Sequence, residues 1–334
     1  MTTITAKINK WNPEPEIISM ASEILRSGGL VAFPTETVYG LGADALNVEA
    51  VKKIYEAKGR PSDNPLILHL SSYEQAEGLV IMNDVAKKLI KNFWPAPLTL
   101  VLNVNPSAKI PLRTRGGLDT VAIRMPDNPV ALSLIDAAKT PIAAPSANLS
   151  GRPSPTDFQS VFNDMNGKIE MIIDGGETEA GIESTVIDVT NPEKILMLRP
   201  GGMPREIIEG VLEKELEIPD ALSKKRSPGT RYRHYAPNIP VKIWQYEKNF
   251  PVDDVKNCGY LGINDPEIKN LNHKIIFDDV KNYFSDDIEK LLAKMLDENY
   301  KDFVIHFDMK NPGKKEIMKI PKDINSYFVV SSYK

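Results

Sequence analysis

Two cations stand close together in the segment KGRPSDNPL, residues 58–66. Lys58 and Arg60 follow the end of a helical pattern and precede a Ser-Asp-Asn run that leads into an apolar strand. Two cations with a hydroxyl and an amide can cradle an anion, although the Walker pattern G-x-x-x-x-G-K-[ST] does not occur in the chain. The helix C-terminus alone would also explain either cation. Taken together, the pair predicts an anion-binding loop.

An arginine, Arg124, lies near the end of the strand predicted over TVAIRM, residues 120–125. Side chains alternate across a strand, so Thr120 and Arg124 lie on one face and Val121 and Ile123 on the other. A planar guanidinium binds a carboxylate or a phosphate through two parallel hydrogen bonds. This strand therefore predicts a polar face that can hold an anion.

Three further segments place polar groups beside strands. APSANLSGRPSPT, residues 144–156, offers hydroxyls and backbone N–H groups to phosphate, a composition also common in ordinary loops. GIESTVIDV (181–189) and the following LRPG (198–201) place Ser184 at a strand start and Arg199 at a strand end. These segments add hydroxyls and a fourth cation to the candidate site.

The segment FPTETVYGLGADA, residues 33–45, contains the relaxed dinucleotide pattern G-x-G-x-x-A from Gly40. A dinucleotide turn runs straight from strand to helix, whereas here the next helix begins only near Asn47. We therefore interpret the segment as a close-approach loop whose hydroxyls line a pocket, with a polar strand turn as the alternative.

Composition narrows the function classes. The 334 residues include one cysteine and four dispersed histidines, so neither an internal disulfide nor a cysteine-based zinc site is expected. The net charge is -4, and the pI of about 5.7 gives no global basic footprint for nucleic acid. No apolar run reaches the roughly 18 residues of a membrane helix, and the N-terminal residues lack a signal-peptide pattern, so we expect a cytoplasmic protein.

Helices and strands alternate irregularly along the first two thirds of the chain, which indicates a mixed α/β fold. Apolar periodicity and caps predict helices over 14–27, 48–58, 83–92, 128–138 and 204–214. Short apolar runs predict strands over 30–33, 66–70, 98–102, 120–125, 171–175, 184–189 and 195–199.

A basic and aromatic segment, SKKRSPGTRYRHYAP (223–237), has no helical or strand period and separates two domains. We expect a catalytic domain over 1–216, a linker over 217–238 and a smaller α/β domain over 239–334. In the last of these, strands are predicted over 241–247, 259–263, 274–277 and 302–307, and a helix over 284–299. Every arginine precedes residue 234, which indicates that anion chemistry is confined to the first part of the chain, the alternative being a difference in composition between domains.

In this order, FPTETVYGLG, KGRPSDNPL, TVAIRMP, APSANLSG, ESTVID, LRPG and SPGTRYRHYAP resemble the two-domain form of the threonylcarbamoyl-AMP synthase family. The resemblance covers residues 14–238 closely and the remainder in arrangement only. It implies a YrdC-like twisted mixed sheet around a large cationic cavity, and a smaller Rossmann-like α/β C-terminal domain.

The resemblance also implies an activity. Family members condense L-threonine, bicarbonate and ATP, with magnesium, into L-threonylcarbamoyladenylate and pyrophosphate. A separate downstream transferase then modifies the adenosine beside the anticodon of tRNAs that read ANN codons. Whether this chain binds tRNA directly is left open.

By the same resemblance, the matching positions divide into two groups. The L-threonine side comprises Thr37, His69, Arg124, the backbone at Ala144, and Ser184. The ATP side comprises Lys58, Arg60, Asn64, Thr120, Ser146, Ser154, Arg199 and the linker residue Tyr235. The linker is expected to close over the site as a lid, the alternative being a solvated connector.

Two other functions compete with this interpretation. A non-catalytic RNA-binding module would use the same cationic loops, although the acidic pI disfavours it. A carbamoyltransferase of hydrogenase maturation shares a YrdC-like domain, but such chains carry cysteine zinc motifs and this chain has one cysteine.

Overall fold

The computed structural model describes residues 2–219 and, beyond them, the backbone of four strands at 241–244, 258–262, 273–276 and 302–306. The chain divides into two compact units, residues 1–234 and 235–334. Among the described residues, no helix combines the length and the apolarity that a bilayer crossing needs.

The first unit is built on one ten-stranded mixed sheet, in the order β1-β8-β2-β3-β7-β4-β6-β5-β9-β10. Some neighbouring strands are parallel, such as β4 with β6, and others are antiparallel, such as β5 with β6. The strands are β1 (Ile4–Lys7), β2 (Val31–Phe33), β3 (Gly40–Asp44), β4 (Ile67–His69), β5 (Leu98–Asn103), β6 (Thr120–Arg124), β7 (Ile142–Ala143), β8 (Met171–Asp174), β9 (Thr185–Asp188) and β10 (Leu196–Arg199).

Seven helices are described in this unit, and side chains cap most of them. Asn47 accepts hydrogen bonds from the N–H groups of Glu49 and Ala50, and Gly59 ends the same helix with φ +61°. The helices are α1 (Pro15–Arg26), α2 (Val48–Lys58), α3 (Tyr73–Leu79), α4 (Asp84–Phe93), α5 (Pro129–Ala138), α6 (Phe158–Met165) and α7 (Arg205–Leu212). All five predicted helices are confirmed.

Apolar side chains cover the two faces of the sheet differently. One face packs continuously against α2, α4 and neighbouring helices, with Leu68, Leu100 and Ile123 in that core. The other face is covered by α1 and α5 only where β2, β7 and β8 lie. Further along, this second face carries a small apolar cluster that includes Ile67 and Ala122. Polar side chains of the candidate site lie next to that cluster.

The strand alternation predicted for TVAIRM is confirmed by this packing. Val121 and Ile123 belong to the helix-covered core, whereas Ala122, between Thr120 and Arg124, belongs to the small cluster on the opposite face. The segment Gly40–Asp44 differs from its prediction, because it forms β3 rather than a loop. A Cβ atom on Gly42 would lie 2.8 Å from the Phe33 ring, so this glycine makes room for protein rather than for a ligand.

The four described strands of the second unit form a parallel sheet in the order β11-β14-β12-β13. They are β11 (Val241–Trp244), β12 (Cys258–Gly262), β13 (His273–Ile276) and β14 (Asp302–His306), close to the predicted positions. A parallel sheet of this kind agrees with the expected Rossmann-like layer. The predicted helix over 284–299 and most of the linker lie outside the described residues.

Candidate active site

The centre of the site lies where two parallel strands end together. His69 ends β4 and Arg124 ends β6, and the two residues are direct register partners. Both side chains are buried. The antiparallel register of β5 with β6 pairs Leu100 with Ile123, so Thr99 lies opposite Arg124 on the third strand. The sheet thus brings three polar side chains to one spot.

Arg124 is held by the segment that follows β2. Its Nη2 atom lies 2.6 Å from Oε1 of Glu36 and donates a 3.0 Å hydrogen bond to Oγ1 of Thr37. Thr37 is fixed in turn by a 2.8 Å hydrogen bond between its hydroxyl and that of Thr35. The buried Nε atom of Arg124 has no hydrogen-bond partner. Because a guanidinium carries five N–H donors, this one is oriented yet can still receive a carboxylate.

The imidazole of His69 is neutral. Burial and the positive charge of Arg124 lower the pKa of His69 to about 3. Its ring meets Phe33 edge-on, with 6.3 Å between the ring centroids, and its Nδ1 atom has no hydrogen-bond partner. A buried nitrogen without a partner costs stability, so its presence beside Arg124 indicates a place for a polar ligand group.

Ser184 joins the same centre from the start of β9. Its hydroxyl lies 2.8 Å from that of Thr99, and its carbonyl accepts a 2.9 Å hydrogen bond from Nη2 of Arg199. Ala144 lies just after β7, and its N–H donates to the carbonyl of Ile67 at 3.0 Å. Because that N–H is already used, a contact from Ala144 to a ligand would come from its carbonyl oxygen.

Lys58 organises the second part of the site, at the end of α2. Its buried ammonium donates to the backbone carbonyls of Ser146 and Asn148, and its own carbonyl accepts a 2.8 Å hydrogen bond from the N–H of Ser150. Burial and the neighbouring Arg60 hold the pKa of Lys58 well below its usual value. The lysine therefore ties the predicted phosphate loop to α2.

The anion loop itself carries a further buried polar group. Arg60 donates from Nη2 to the carbonyl of Pro65 at 3.1 Å. Asn64 is completely buried, yet neither its Oδ1 nor its Nδ2 atom has a hydrogen-bond partner. Thr120 is buried at the start of β6. An unpaired buried amide beside two cations is the kind of group that a polar ligand satisfies.

A chain of polar contacts runs from the loop 144–156 to Thr99 on β5. Ser154 donates a 2.8 Å hydrogen bond to Glu183, whose other carboxylate oxygen lies 3.6 Å from Nη1 of Arg199. Arg199 bonds to Ser184, and Ser184 to Thr99. Ser146, on the phosphate loop, donates to Oδ1 of Asn148.

The structure thus connects most of the residues assigned by resemblance, through their own contacts or through strand register. Tyr235 lies outside the described residues. Sequence reasoning did not single out Glu36, Thr35, Thr99, Asn148 or Glu183 as site residues. The sequence signal that could have identified Glu36 is a charged residue between two threonines, in a segment whose other residues belong to the buried core.

The site has the attributes of an enzyme that positions anions. It combines a buried guanidinium suited to a carboxylate with a cationic loop suited to phosphates. Within residues 2–219 and the described strands, no three His, Cys, Asp or Glu side chains group as metal ligands. The first two features are those of a site that binds anions.

Comparison with known families identifies the class. The family described as "Telomere recombination", whose model is named for Sua5, YciO and YrdC proteins, matches residues 23–201. The family described as "Threonylcarbamoyl-AMP synthase, C-terminal domain" matches residues 203–316. The chain therefore belongs to the threonylcarbamoyl-AMP synthase family, and it is a transferase that makes an adenylate.

Individual relatives agree. The threonylcarbamoyl-AMP synthase of Pyrococcus abyssi is 53% identical over 246 residues, which span 72% of this chain and 70% of that protein. That of Bacillus subtilis is 51% identical over 244 residues, spanning 72% and 69%. The crystal structure of P. abyssi Sua5 complexed with L-threonine has a TM-score of 0.81 at 39% identity, covering 97% of this chain and 98% of that one. The resemblance seen in the motifs and the expected twisted mixed α/β sheet are confirmed.

Proposed function

We propose that the centre around Arg124 binds L-threonine, with the substrate carboxylate on the guanidinium. The support is geometric: Arg124 is oriented by Glu36 and Thr37 and retains a buried unpaired Nε atom. The neutral His69 offers an unpaired ring nitrogen for a polar substrate group. A solved relative that carries L-threonine supports the choice of ligand.

The second part of the site binds ATP in this proposal. Lys58 and Arg60 meet the phosphates, and the unpaired amide of Asn64 is satisfied by the nucleotide. Binding a polyanion next to Lys58 would stabilise its charged form and offset the burial that lowers its pKa. The remaining nucleotide contacts are assigned to Thr120, Ser146, Ser154, Arg199 and Tyr235.

The reaction needs no covalent enzyme intermediate. Threonine and bicarbonate form a carbamate, whose oxygen attacks the α-phosphate of ATP while pyrophosphate leaves. The protein's part is to align the carbamate with the phosphate and to balance the developing charge, as in other phosphoryl transfers. The chain of contacts from Ser154 to Ser184 is suited to that alignment, because it joins two residues that the proposal assigns to different substrates.

Magnesium, the partners and the location remain part of the proposal. The described residues group no three metal-binding side chains, so a magnesium ion would be coordinated mainly by the triphosphate and neutralise part of its charge. A downstream transferase takes the product to tRNA, and the cytoplasm is the expected site of action. Direct tRNA binding is not needed for the reaction itself.

The observation that carries the proposal is Arg124, which is oriented by Glu36 and Thr37 but keeps a buried Nε atom without a partner. The test is pyrophosphate release from ATP, measured with threonine and bicarbonate each present or omitted. Turnover that requires both supports the proposal, and release that is indifferent to both overturns it. An RNA-binding module would instead show no turnover and an affinity for RNA that falls steeply with salt.

Variants of the cationic loop assign the nucleotide side. Lys58→Ala and Arg60→Ala should each raise the ATP concentration needed for half-maximal turnover more than the threonine concentration. Arg26→Ala is the matched control, because that arginine bonds to the carbonyl of Ala137 on the outer helices. Unchanged ATP dependence in both loop variants would reassign the loop as structural.

A further inference from the structure

Glu36 is a buried carboxylate that the proposed ligand sets do not use. Its side chain is 6% exposed, and Oε1 lies 2.6 Å from Nη2 of Arg124. Its Oε2 atom is buried and has no hydrogen-bond partner. The backbone carbonyl of Glu36 accepts a 2.8 Å hydrogen bond from the N–H of Ala180, which fixes the residue in place.

The charge balance around Glu36 indicates which ligand fits. Without a ligand, the positive charge of Arg124 is already neutralised by Glu36, and His69 is uncharged. A simple carboxylate bound to Arg124 would leave one uncompensated negative charge in a buried place, which is costly. An amino-acid zwitterion adds none, because its ammonium group balances its carboxylate.

The other charged groups nearby strengthen the preference for a cation. Asp127 follows Arg124 by three residues, and burial together with the charges of Glu36 and Glu179 raises its pKa. Glu179 pairs with Lys10 at 2.8 Å. In this group three carboxylates, those of Glu36, Asp127 and Glu179, are set against the ammonium of Lys10, so the net charge is negative and attracts an ammonium group.

We propose that Glu36 binds the ammonium group of the substrate amino acid and accepts its proton when the carbamate forms. This inference rests on the proposed function, whose amino-acid site it completes. Arg124 would hold the carboxylate with its remaining donors while Nη2 stays on Glu36 and Thr37. The two ends of the zwitterion would then lie side by side on a buried ion pair.

The proton step balances. The substrate ammonium gives one proton to Glu36, which becomes a carboxylic acid, and the free amine attacks the carbon of bicarbonate. A nitrogen–carbon bond forms, and a carbon–oxygen bond breaks. The departing hydroxide takes a second proton from the nitrogen and leaves as water. The products are the carbamate anion, water and protonated Glu36, so the total charge is unchanged.

Ligand selectivity tests the binding half of the proposal. Glu36→Gln keeps the size of the side chain and an oxygen for Arg124 but removes the charge. Binding of L-threonine and of 3-hydroxybutanoate, which lacks only the amine, is measured by calorimetry. We expect threonine to bind about 10- to 100-fold more weakly in the variant and 3-hydroxybutanoate to bind at least as well as in the wild type.

If Glu36 only orients Arg124, Glu36→Gln should weaken the binding of both ligands in parallel, because both bind Arg124 through a carboxylate. Parallel weakening of threonine and 3-hydroxybutanoate would overturn the proposal. Glu36→Asp retains the charge and should restore the preference for threonine in part, whereas an equal loss for both ligands in that variant would also contradict it. Glu170→Gln is the matched control, because that carboxylate bonds to the N–H of Leu30, a residue that the proposed site does not include.

The pH profile tests the proton half. In the wild type, Glu36 takes the proton from the ammonium form of the substrate, so turnover should vary little between pH 7 and 9. In Glu36→Gln only the free amine reacts, and turnover should rise about tenfold per pH unit over the same range. Equal profiles would overturn this step. If the wild type releases no pyrophosphate with threonine and bicarbonate, the proposed function itself fails instead.

Discussion

At the scale of single residues, Arg124 illustrates how a buried charge is prepared for a ligand. A guanidinium in the interior must be paired, and Glu36 and Thr37 supply that pairing at 2.6 and 3.0 Å. Because both contacts use Nη2, the remaining donors keep a fixed direction. Strand alternation was enough to place this arginine on the same face as Thr120, since it requires only a period of two.

The first prediction concerns Arg124→Lys. A lysine keeps the charge but replaces a planar donor set with a single ammonium, so it cannot hold Glu36, Thr37 and a substrate carboxylate together. We expect threonine affinity to fall by about 2 kcal/mol or more, with ATP affinity nearly unchanged. Calorimetric titrations with each ligand measure both quantities. Unaltered threonine affinity would remove Arg124 from the amino-acid site.

The second prediction concerns His69 and acid stability. The folded pKa of about 3 lies below the unfolded value of 6.5, so between these values the unfolded chain binds the extra proton. Above pH 6.5 the neutral His69 does not lower the free energy of unfolding. As the pH falls through this window, the free energy of unfolding decreases by up to about 1.4 kcal/mol per pH unit, because the unfolded chain takes up the proton.

His69→Gln removes this proton uptake. The loss of unfolding free energy from pH 7 to pH 5 should then be smaller than in the wild type by about 2 kcal/mol. Urea unfolding followed by tryptophan fluorescence at the two pH values gives the comparison. Carboxylates contribute equally to both proteins, so identical losses would mean that His69 is not a neutral buried group.

Glu36 shows what sequence reasoning leaves out at this scale. Its position between Thr35 and Thr37 was visible, but a charged residue in a polar segment is ordinarily solvated. Its importance appears only through its contact with Arg124, 88 positions later in the chain. Contacts of that range depend on the order of strands in the sheet, which periodicity does not encode.

At the scale of elements, local chemistry was a reliable guide where strong signals exist. Asn47 and Gly59 gave both ends of α2, since each satisfies backbone groups that the helix itself cannot. Predictions that rested on weaker sequence signals were wrong or absent. Residues 40–44 read as a loop because glycine is rare in strands, yet β3 needs Gly42 so that Phe33 and Ile142 can pack against its backbone. The short strands β1 and β7 and the helices α3 and α6 were also missed.

The third prediction concerns the turn after β10. A Cβ atom on Gly201 would overlap the backbone of Glu183, Ser184 and Thr185, none of which is the end of a flexible side chain. Gly201→Ala should therefore displace Ser184 and the Arg199 contact, and reduce turnover severely even where the protein still folds. Steady-state turnover and thermal unfolding are measured together.

Gly210→Ala is the control for the same chemical change. Gly210 lies exposed in α7, with no atom within 4 Å of the added Cβ. Alanine there should stabilise the helix by about 0.5–1 kcal/mol and leave turnover unchanged. If Gly201→Ala behaved like this control, the close packing of LRPG against β9 would have no role in the site.

At the scale of the whole molecule, composition predicts that the chain is divided into domains. Arginine disappears after residue 233, and a basic, aromatic and proline-containing segment precedes the change. The boundary between the two compact units falls between His234 and Tyr235, within the expected linker.

The first unit has its own sheet and its own hydrophobic cores, which is what a domain needs in order to fold independently. A chain ending near residue 220 should therefore unfold cooperatively.

The last prediction concerns the linker SPGTRYRHYAP as a lid. The adenylate product is a mixed anhydride that water destroys, and closing segments protect such products by excluding water. Trypsin cleavage after Arg231 or Arg233 should then be suppressed by ATP with threonine, and less by either alone. Tyr235→Ala should lose that protection, since Tyr235 is assigned to the nucleotide. The chain ending near residue 220 should fold but turn over far more slowly. Cleavage indifferent to ligands, together with full activity of the shortened chain, would leave the segment as a simple connector.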